Sequence, residues 1–213
     1  MTKPNVQFAI PAEAVLPVAE LALALQRGEV VLIPTDTLPA LAALPEAATH
    51  IWTLKQRPLE KPLILMGADF EQLEPLLGRP WRREWRDLAD VGWPGALTLV
   101  LPARGPLLEQ LHPGGSSLGL RIPACDMTRA LLRSTGPLAT TSANPSGMPA
   151  AVDALQASQY FPNLSLLAPV PWPFPSGQAS TVMAWPGSAD PAEGSGCWQV
   201  LRRGAFVAPD PTR

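Results

Sequence analysis

Cations stand out in a chain that has few. Charged residues make up 16% of the 213, and the lysines are Lys3, Lys55 and Lys61. Two of them flank Arg57 in the run Lys55-Gln56-Arg57-Pro58-Leu59-Glu60-Lys61. A guanidinium grips phosphate or carboxylate through a planar fork, and an ammonium supplies a mobile point charge. The run therefore suits an anionic ligand. It equally fits a solvated patch whose cations favour a helix C-terminus. A second run, Thr140-Thr141-Ser142-Ala143-Asn144-Pro145-Ser146-Gly147, gathers hydroxyls and an amide in a tight loop. Such a loop holds phosphate oxygens through O–H and backbone N–H groups, or serves as an ordinary turn. It lacks the G-x-x-x-x-G-K-[ST] pattern of a P-loop. Arg121 interrupts the apolar run at 117–122, where a charge needs a partner or a cleft. Ser180-Thr181 with Arg202 forms a fourth group near the C-terminus. His50 and His112 stand apart and read as structural or solvated. Cations, hydroxyls and one amide, without a nucleophile–base pair, fit phosphoryl or nucleotidyl transfer, where positioning and charge neutralisation carry the reaction.

These groups need elements to hold them. Helical spacing of Val15, Val18, Ala19, Ala22 and Leu25 predicts a helix over 12–27 that Gly28 stops. The apolar run 30–33 predicts a buried strand, so Thr35-Asp36-Thr37 falls at its C-terminal end, where open α/β sheets bind ligands. A helix over 46–56 ends before Pro58 and carries Lys55 and Arg57 at its close. Further strands are expected at 62–66, 96–101, 117–122, 138–141, 181–185 and 198–201. Helices are expected from an Asp69–Gln72 capping box through 77, within 79–94, from an Asp126 cap through 132 with Gly136 as stop, and over 153–161. Trp81, Trp85 and Trp93 suit packing against the sheet better than base stacking. The proline-rich stretch 162–178 reads as a loop or linker, and 186–196 as a flexible loop.

The length suits one domain, taken as 1–206 with a tail at 207–213. The formal charge of -2 excludes a global basic field for nucleic acid, leaving a local basic pocket and at most weak RNA binding. Cys125 and Cys197 match no metal spacing and read as two buried thiols, so no metal site is expected from the protein. The N-terminus lacks the form of a signal peptide, and no apolar run of 18 residues suggests a membrane span. A cytoplasmic protein without membrane partners is the expectation.

Taken in order, the pieces resemble the YrdC family of threonylcarbamoyl-AMP synthases. The matching stretches are VVLIPTDTL at 30–38, LKQRPLEKPLILM at 54–66, WPGALTLVLPA at 93–103, SLGLRIP at 117–123 and TTSANPSG at 140–147. GQASTVMAW at 177–185 and VLRRGAF at 200–206 match more loosely. The resemblance implies an α/β fold, a twisted mixed sheet flanked by helices around a deep, positively lined cavity. It implies a nucleotidyltransferase that joins L-threonine, bicarbonate and ATP, with Mg²⁺ accompanying the ATP, and releases pyrophosphate. The product, threonylcarbamoyl-AMP, passes to a partner enzyme that modifies an adenosine of tRNA. Carried over by position, Lys55 and Arg57 are the catalytic cations. Thr35, Arg121 and Ser180 contact threonine, and Arg57, Lys61, Thr98, Ser142, Asn144 and Arg202 contact ATP. Three departures stand out. Leu38-Pro39-Ala40 replaces a Val-Tyr-Gly-like stretch, Met66 stands where many members carry His, and the proline-rich 162–178 segment replaces a more regular stretch. A paralogue without threonine chemistry and an RNA-binding module are the competing readings.

Overall fold

A strand that is apolar on both faces must be covered on both, and this requirement organises the chain. The computed structural model describes residues 9–173, 175–186 and 196–207. The chain begins with β1 (Val15–Leu16), α1 (Val18–Gln26), β2 (Val31–Ile33), β3 (Ala40–Ala43) and α2 (Ala48–Lys55). Then follow β4 (Ile64–Met66), α3 (Phe70–Leu73), α4 (Arg83–Gly92), β5 (Leu97–Pro102) and α5 (Pro106–Leu111). The last part holds β6 (Ser117–Arg121), α6 (Asp126–Thr135), β7 (Leu138–Ser142), α7 (Ala154–Tyr160), β8 (Leu166–Leu167), β9 (Thr181–Ala184) and β10 (Gln199–Arg202). The strands form one mixed sheet in the order β1-β8-β2-β3-β7-β4-β6-β5-β9-β10.

Every residue of β2 and β3 is buried. Leu32, Leu41 and Ala43 join one apolar cluster with Ile51 of α2 and Ala154 of α7. Val31, Ile33, Ala40 and Ala42 join the other, with Leu21 and Leu25 of α1 and Leu131 and Leu132 of α6. Alternate residues thus feed two opposite faces, as the strand period requires.

Several expectations are corrected. The first helix starts at Val18, because Pro17 lacks an N–H and keeps Leu16 extended, which lets Leu16 pair with β8. The stretch 162–178 contains β8, which lies parallel to β1 and β2 and between them. β3 was not expected, since Ala-Leu-Ala-Ala has little strand propensity and pairing on both edges overrides it. α5 was also unexpected, although Pro106 occupies a first-turn position that suits proline. Pro75 turns the helix after Leu73 into a 3₁₀ segment. Asp69 caps α3, accepting from the Gln72 N–H at 3.1 Å, and Asp153 caps α7 in the same way at 2.7 Å. Asp126 makes no such cap, for it is itself the first residue of α6. Cys125 is buried as expected, but Cys197 is exposed. The expected loop at 186–196 and tail at 207–213 fall largely outside the described residues.

The tryptophans pack in the core, edge to face. Trp81 meets Trp85 and Trp93 at 6.2 and 6.3 Å, and Trp185 meets Trp85 and Trp198 at 6.2 and 5.2 Å. Trp85 is fully buried, and its indole N–H has no acceptor among the described residues. Trp85→Ala should therefore destabilise the fold by about 3–5 kcal/mol in urea unfolding. Trp85→Phe should cost much less, because it keeps an aromatic edge and removes the unbonded donor. Equal losses in the two variants would contradict this account.

Candidate active site

The sheet register places six side chains on one face. Ala40 lies opposite Ser142, Thr140 opposite Ile64, and Met66 opposite Arg121. Opposed residues share a face, as do alternate residues along a strand. This is the face that α1 and α6 partly cover, and beyond them it opens into a cavity of about 370 Å³. All six side chains line it, with Thr37, Pro39, Arg57, Asn144, Ser180 and Arg202 among the others.

α2 delivers two cations and sends them to different places. Gln56 ends the helix in the left-handed conformation at φ 49°. The turn brings Arg57 into the cavity lining, where its Nε donates to the Lys61 carbonyl and its Nη2 to the Pro62 carbonyl, both at 3.1 Å. Lys55 instead runs behind the loop that follows β7. Its ammonium donates to the carbonyl of Ser142, to that of Asn144 at 2.5 Å and to Asn144 Oδ1 at 3.4 Å. It is 2% exposed and does not line the cavity. Lys61 does not line it either: its side chain is exposed, and only its backbone serves the site.

The loop itself is cross-tied. Ser142 Oγ donates to Asn144 Oδ1 at 2.6 Å, and Asn144 Nδ2 donates to the carbonyls of Pro145 and Met148 at 3.0 and 2.7 Å. Both residues face the cavity. On the far wall, Thr98 and Ser180 share a hydrogen bond of 2.8 Å. Arg202 donates to the Ser180 carbonyl from Nε and Nη2 and to Ser180 Oγ from Nη2. A side chain at Gly204 would collide with the Ala179 carbonyl at 2.1 Å, so glycine there lets the chain close on the Ser180 wall. Thr98 supports this wall from behind rather than lining the cavity.

The turn after β2 sends Thr35 and Thr37 to different cavities. Thr35 Oγ1 donates to the Leu38 carbonyl at 2.6 Å and accepts the N–H groups of Thr37 and Leu38, both at 3.1 Å. The hydroxyl is spent on its own turn, and Thr35 lines a separate, apolar cavity of about 390 Å³. Of the two, Thr37 lines the site: its Oγ1 donates to Thr35 Oγ1 at 3.0 Å and accepts from Arg121 Nη1 at 2.8 Å. Arg121 Nη2 meets Asp36 Oδ1 at 2.7 Å. Ala40 begins β3 in an ordinary extended conformation, so no glycine geometry is required where the altered loop enters the sheet.

The Sua5/YciO/YrdC family model, described as telomere recombination, matches residues 23–204. The chain belongs to the Sua5/YciO/YrdC family. A threonylcarbamoyl-AMP synthase of Stutzerimonas stutzeri is 37% identical over 148 residues, 68% of this chain and 80% of the relative. One from Bacillus subtilis is 38% identical over 64% of this chain but only 41% of its own length. P. abyssi Sua5 complexed with L-threonine superposes with a TM-score of 0.77 at 28% identity, over 88% of this chain and 54% of Sua5. E. coli YciO, at 20% identity, shares the fold with a TM-score of 0.76 over 89% and 90% of the two chains. In these comparisons the chain spans about half the length of the Bacillus and P. abyssi proteins.

In this member of the Sua5/YciO/YrdC family the cavity is strongly cationic. Arg57, Arg121 and Arg202 line it, and no Asp or Glu does among the described residues. Burial pushes all three guanidinium pKa values down, yet arginine stays charged. The sequence marked Thr35-Asp36-Thr37 as a strand end suited to a ligand, but gave a role to Thr35 alone. A hydroxyl that closes its own turn is a known habit of Ser and Thr, and the only carboxylate in the Pro-Thr-Asp-Thr stretch was the natural partner for a strand arginine.

Lys55 supplies a pH test. Burial, with Arg57 nearby, lowers its pKa from 10.5 to about 8. The native state therefore holds fewer protons than the unfolded chain between about pH 8 and 10.5, and this group's contribution to stability rises with pH across that window. The grip on the loop runs the other way, complete below pH 8 and weakened above it. Hydrogen exchange at 142–148, corrected for its intrinsic pH dependence, should quicken as pH passes about 8. Lys55→Met should exchange faster than wild type at neutral pH and show no such step. The same step in Lys55→Met would remove Lys55 as its cause.

Proposed function

We propose that the chain is a threonylcarbamoyl-AMP synthase acting on L-threonine, bicarbonate and ATP. The threonine amine and bicarbonate combine to a carbamate and water. A carbamate oxygen then attacks the α-phosphorus of ATP, its bond forms as the bond to pyrophosphate breaks, and threonylcarbamoyl-AMP results. The observation that carries this reading is a single cavity holding the guanidiniums of Arg57, Arg121 and Arg202 beside the Ser142–Asn144 loop. Such a site neutralises carboxylate and phosphate charge and places the reactants, which is what nucleotidyl transfer demands. The names of the relatives support the same reaction.

Within this reading Arg57, Ser142, Asn144 and Arg202 take the nucleotide, and Thr37, Arg121 and Ser180 take threonine. Thr35, Lys55 and Thr98 act through the walls they brace. Lys61 contributes its carbonyl to Arg57 rather than its ammonium to ATP. Mg²⁺ would enter on the nucleotide, since the described residues gather no cluster of three His, Cys, Asp or Glu. Phosphate oxygens and water would supply most of the ligands of such a hard cation. Residues 1–206 act as one unit whose product feeds a tRNA-modifying enzyme in the cytoplasm. No described helix is long and apolar enough to cross a membrane.

Purified protein should release pyrophosphate only when L-threonine, bicarbonate and ATP are all present. Release that ignores threonine would overturn the substrate assignment. Arg57→Ala should weaken ATP binding by about 1.5–3 kcal/mol in calorimetry, the worth of a hydrogen bond to a charged group. Arg57→Lys should recover part of that loss, because a point charge cannot reproduce the fork. Unchanged affinity in Arg57→Ala would place the phosphates elsewhere.

A further inference from the structure

One carboxylate outside the cavity lining ties together the segments that make one of its walls. Asp36 Oδ1 accepts from Arg121 Nη2 at 2.7 Å and from the Ala124 N–H at 3.1 Å. The Asp36 carbonyl accepts the Ser176 N–H at 3.0 Å, and the Thr37 carbonyl accepts the Gly177 N–H at 3.1 Å. Arg121 in turn gives Nη1 to Thr37 Oγ1 at 2.8 Å and Nε to the Gly95 carbonyl at 3.0 Å. The turn after β2, the end of β6, the approach to β5 and the approach to β9 meet through these bonds.

Three bonds, from three nitrogens to three residues, fix the guanidinium plane. A guanidinium has five N–H groups, so two of Arg121's remain for a ligand, and the fixed plane sets where they point. Arg121 is buried, and its charged neighbours are Asp36, which favours its charge, and Arg202, which opposes it. Removing Asp36 would leave Arg121 without its carboxylate and free one end of its fork, whereas Arg202 keeps its three bonds to Ser180. Arg57, Ser142 and Asn144 share no hydrogen bond with this network, so the opposite wall should not feel the change.

We propose that Asp36 is a positioning residue: it aims the free N–H groups of Arg121 at the carboxylate of the amino-acid substrate. The substrate's identity rests on the function proposed above. The role of Asp36 is to hold direction, and it touches neither reacting atoms nor nucleotide.

Two measurements on the full chain test this, with melting curves to establish folding. The first follows the Arg121 Nε–H by NMR. It should exchange slowly in wild type and about tenfold faster or more in Asp36→Asn, which keeps the shape and loses the charge. An unchanged signal would overturn the positioning role. The second compares L-threonine and ATP binding by calorimetry. Asp36→Asn should lose about tenfold or more in threonine affinity while ATP affinity stays within about twofold. A general structural weakening would lower both together, and that result would overturn the proposal, as would two unchanged affinities. Should Asp36→Asn not fold, Asp36→Glu keeps the charge and shifts it by one methylene. It should show the same one-sided loss at smaller size, and equal loss of both ligands would again refute the role. Wild-type protein that binds ATP but no L-threonine would sink the substrate assignment instead, while the Arg121 signal would still judge Asp36.

Discussion

A buried ammonium without a carboxylate partner is costly, and the chain accepts that cost at Lys55. The charge is met instead by the carbonyls of Ser142 and Asn144 and the amide oxygen of Asn144. Those three oxygens belong to the loop that walls the cavity, so the energy of solvating one proton is converted into the shape of a binding surface. The Ser146 N–H returns the connection by donating to the Lys55 carbonyl at 3.1 Å. The last turn of α2 and the end of β7 are thereby joined although 87 residues separate Lys55 from Ser142. Arg57 can line the cavity because Lys55 holds the adjoining backbone from behind.

The rest of the site follows the same division between groups that face the cavity and groups that brace it. Thr35 braces Thr37, Thr98 braces Ser180, and Asp36 braces Arg121. In each pair the bracing atom is buried or bonded to protein, and the facing atom belongs to a residue of the cavity lining. Preorganisation of this kind leaves little side-chain freedom to be lost when a ligand arrives.

How much of this was legible beforehand depended on the kind of signal. The apolar run at 30–33 read correctly as a strand, because a strand buried on both faces writes itself as continuous hydrophobicity, and 96–101 read through its alternation. Arg121 read correctly as a charge in search of a partner. β3 and β8 did not read at all: Ala-Leu-Ala-Ala and Leu-Leu are too short and too plain to declare a strand, and only their neighbours make them one. The choice between Thr35 and Thr37 was illegible for a similar reason. Both are threonines in one turn, and only the closed turn decides which hydroxyl is spent internally. Lys55 and Arg57, two residues apart at a helix end, looked like one cationic pair; the left-handed Gln56 between them sends them to different sides of a loop.

β8 has a consequence for how the chain comes off the ribosome. It is the strand that fills the place between β1 and β2, yet it is made some 130 residues after β2, a separation read from Leu32 opposite Leu166. Until Leu166 has emerged, the outer edge of β2 presents unpaired N–H and C=O groups beside fully apolar side chains. An open apolar edge of this sort is a template for pairing with another chain. The nascent protein therefore carries that open edge for most of its synthesis, and a message truncated ahead of β8 would yield a product prone to aggregate rather than a smaller working domain.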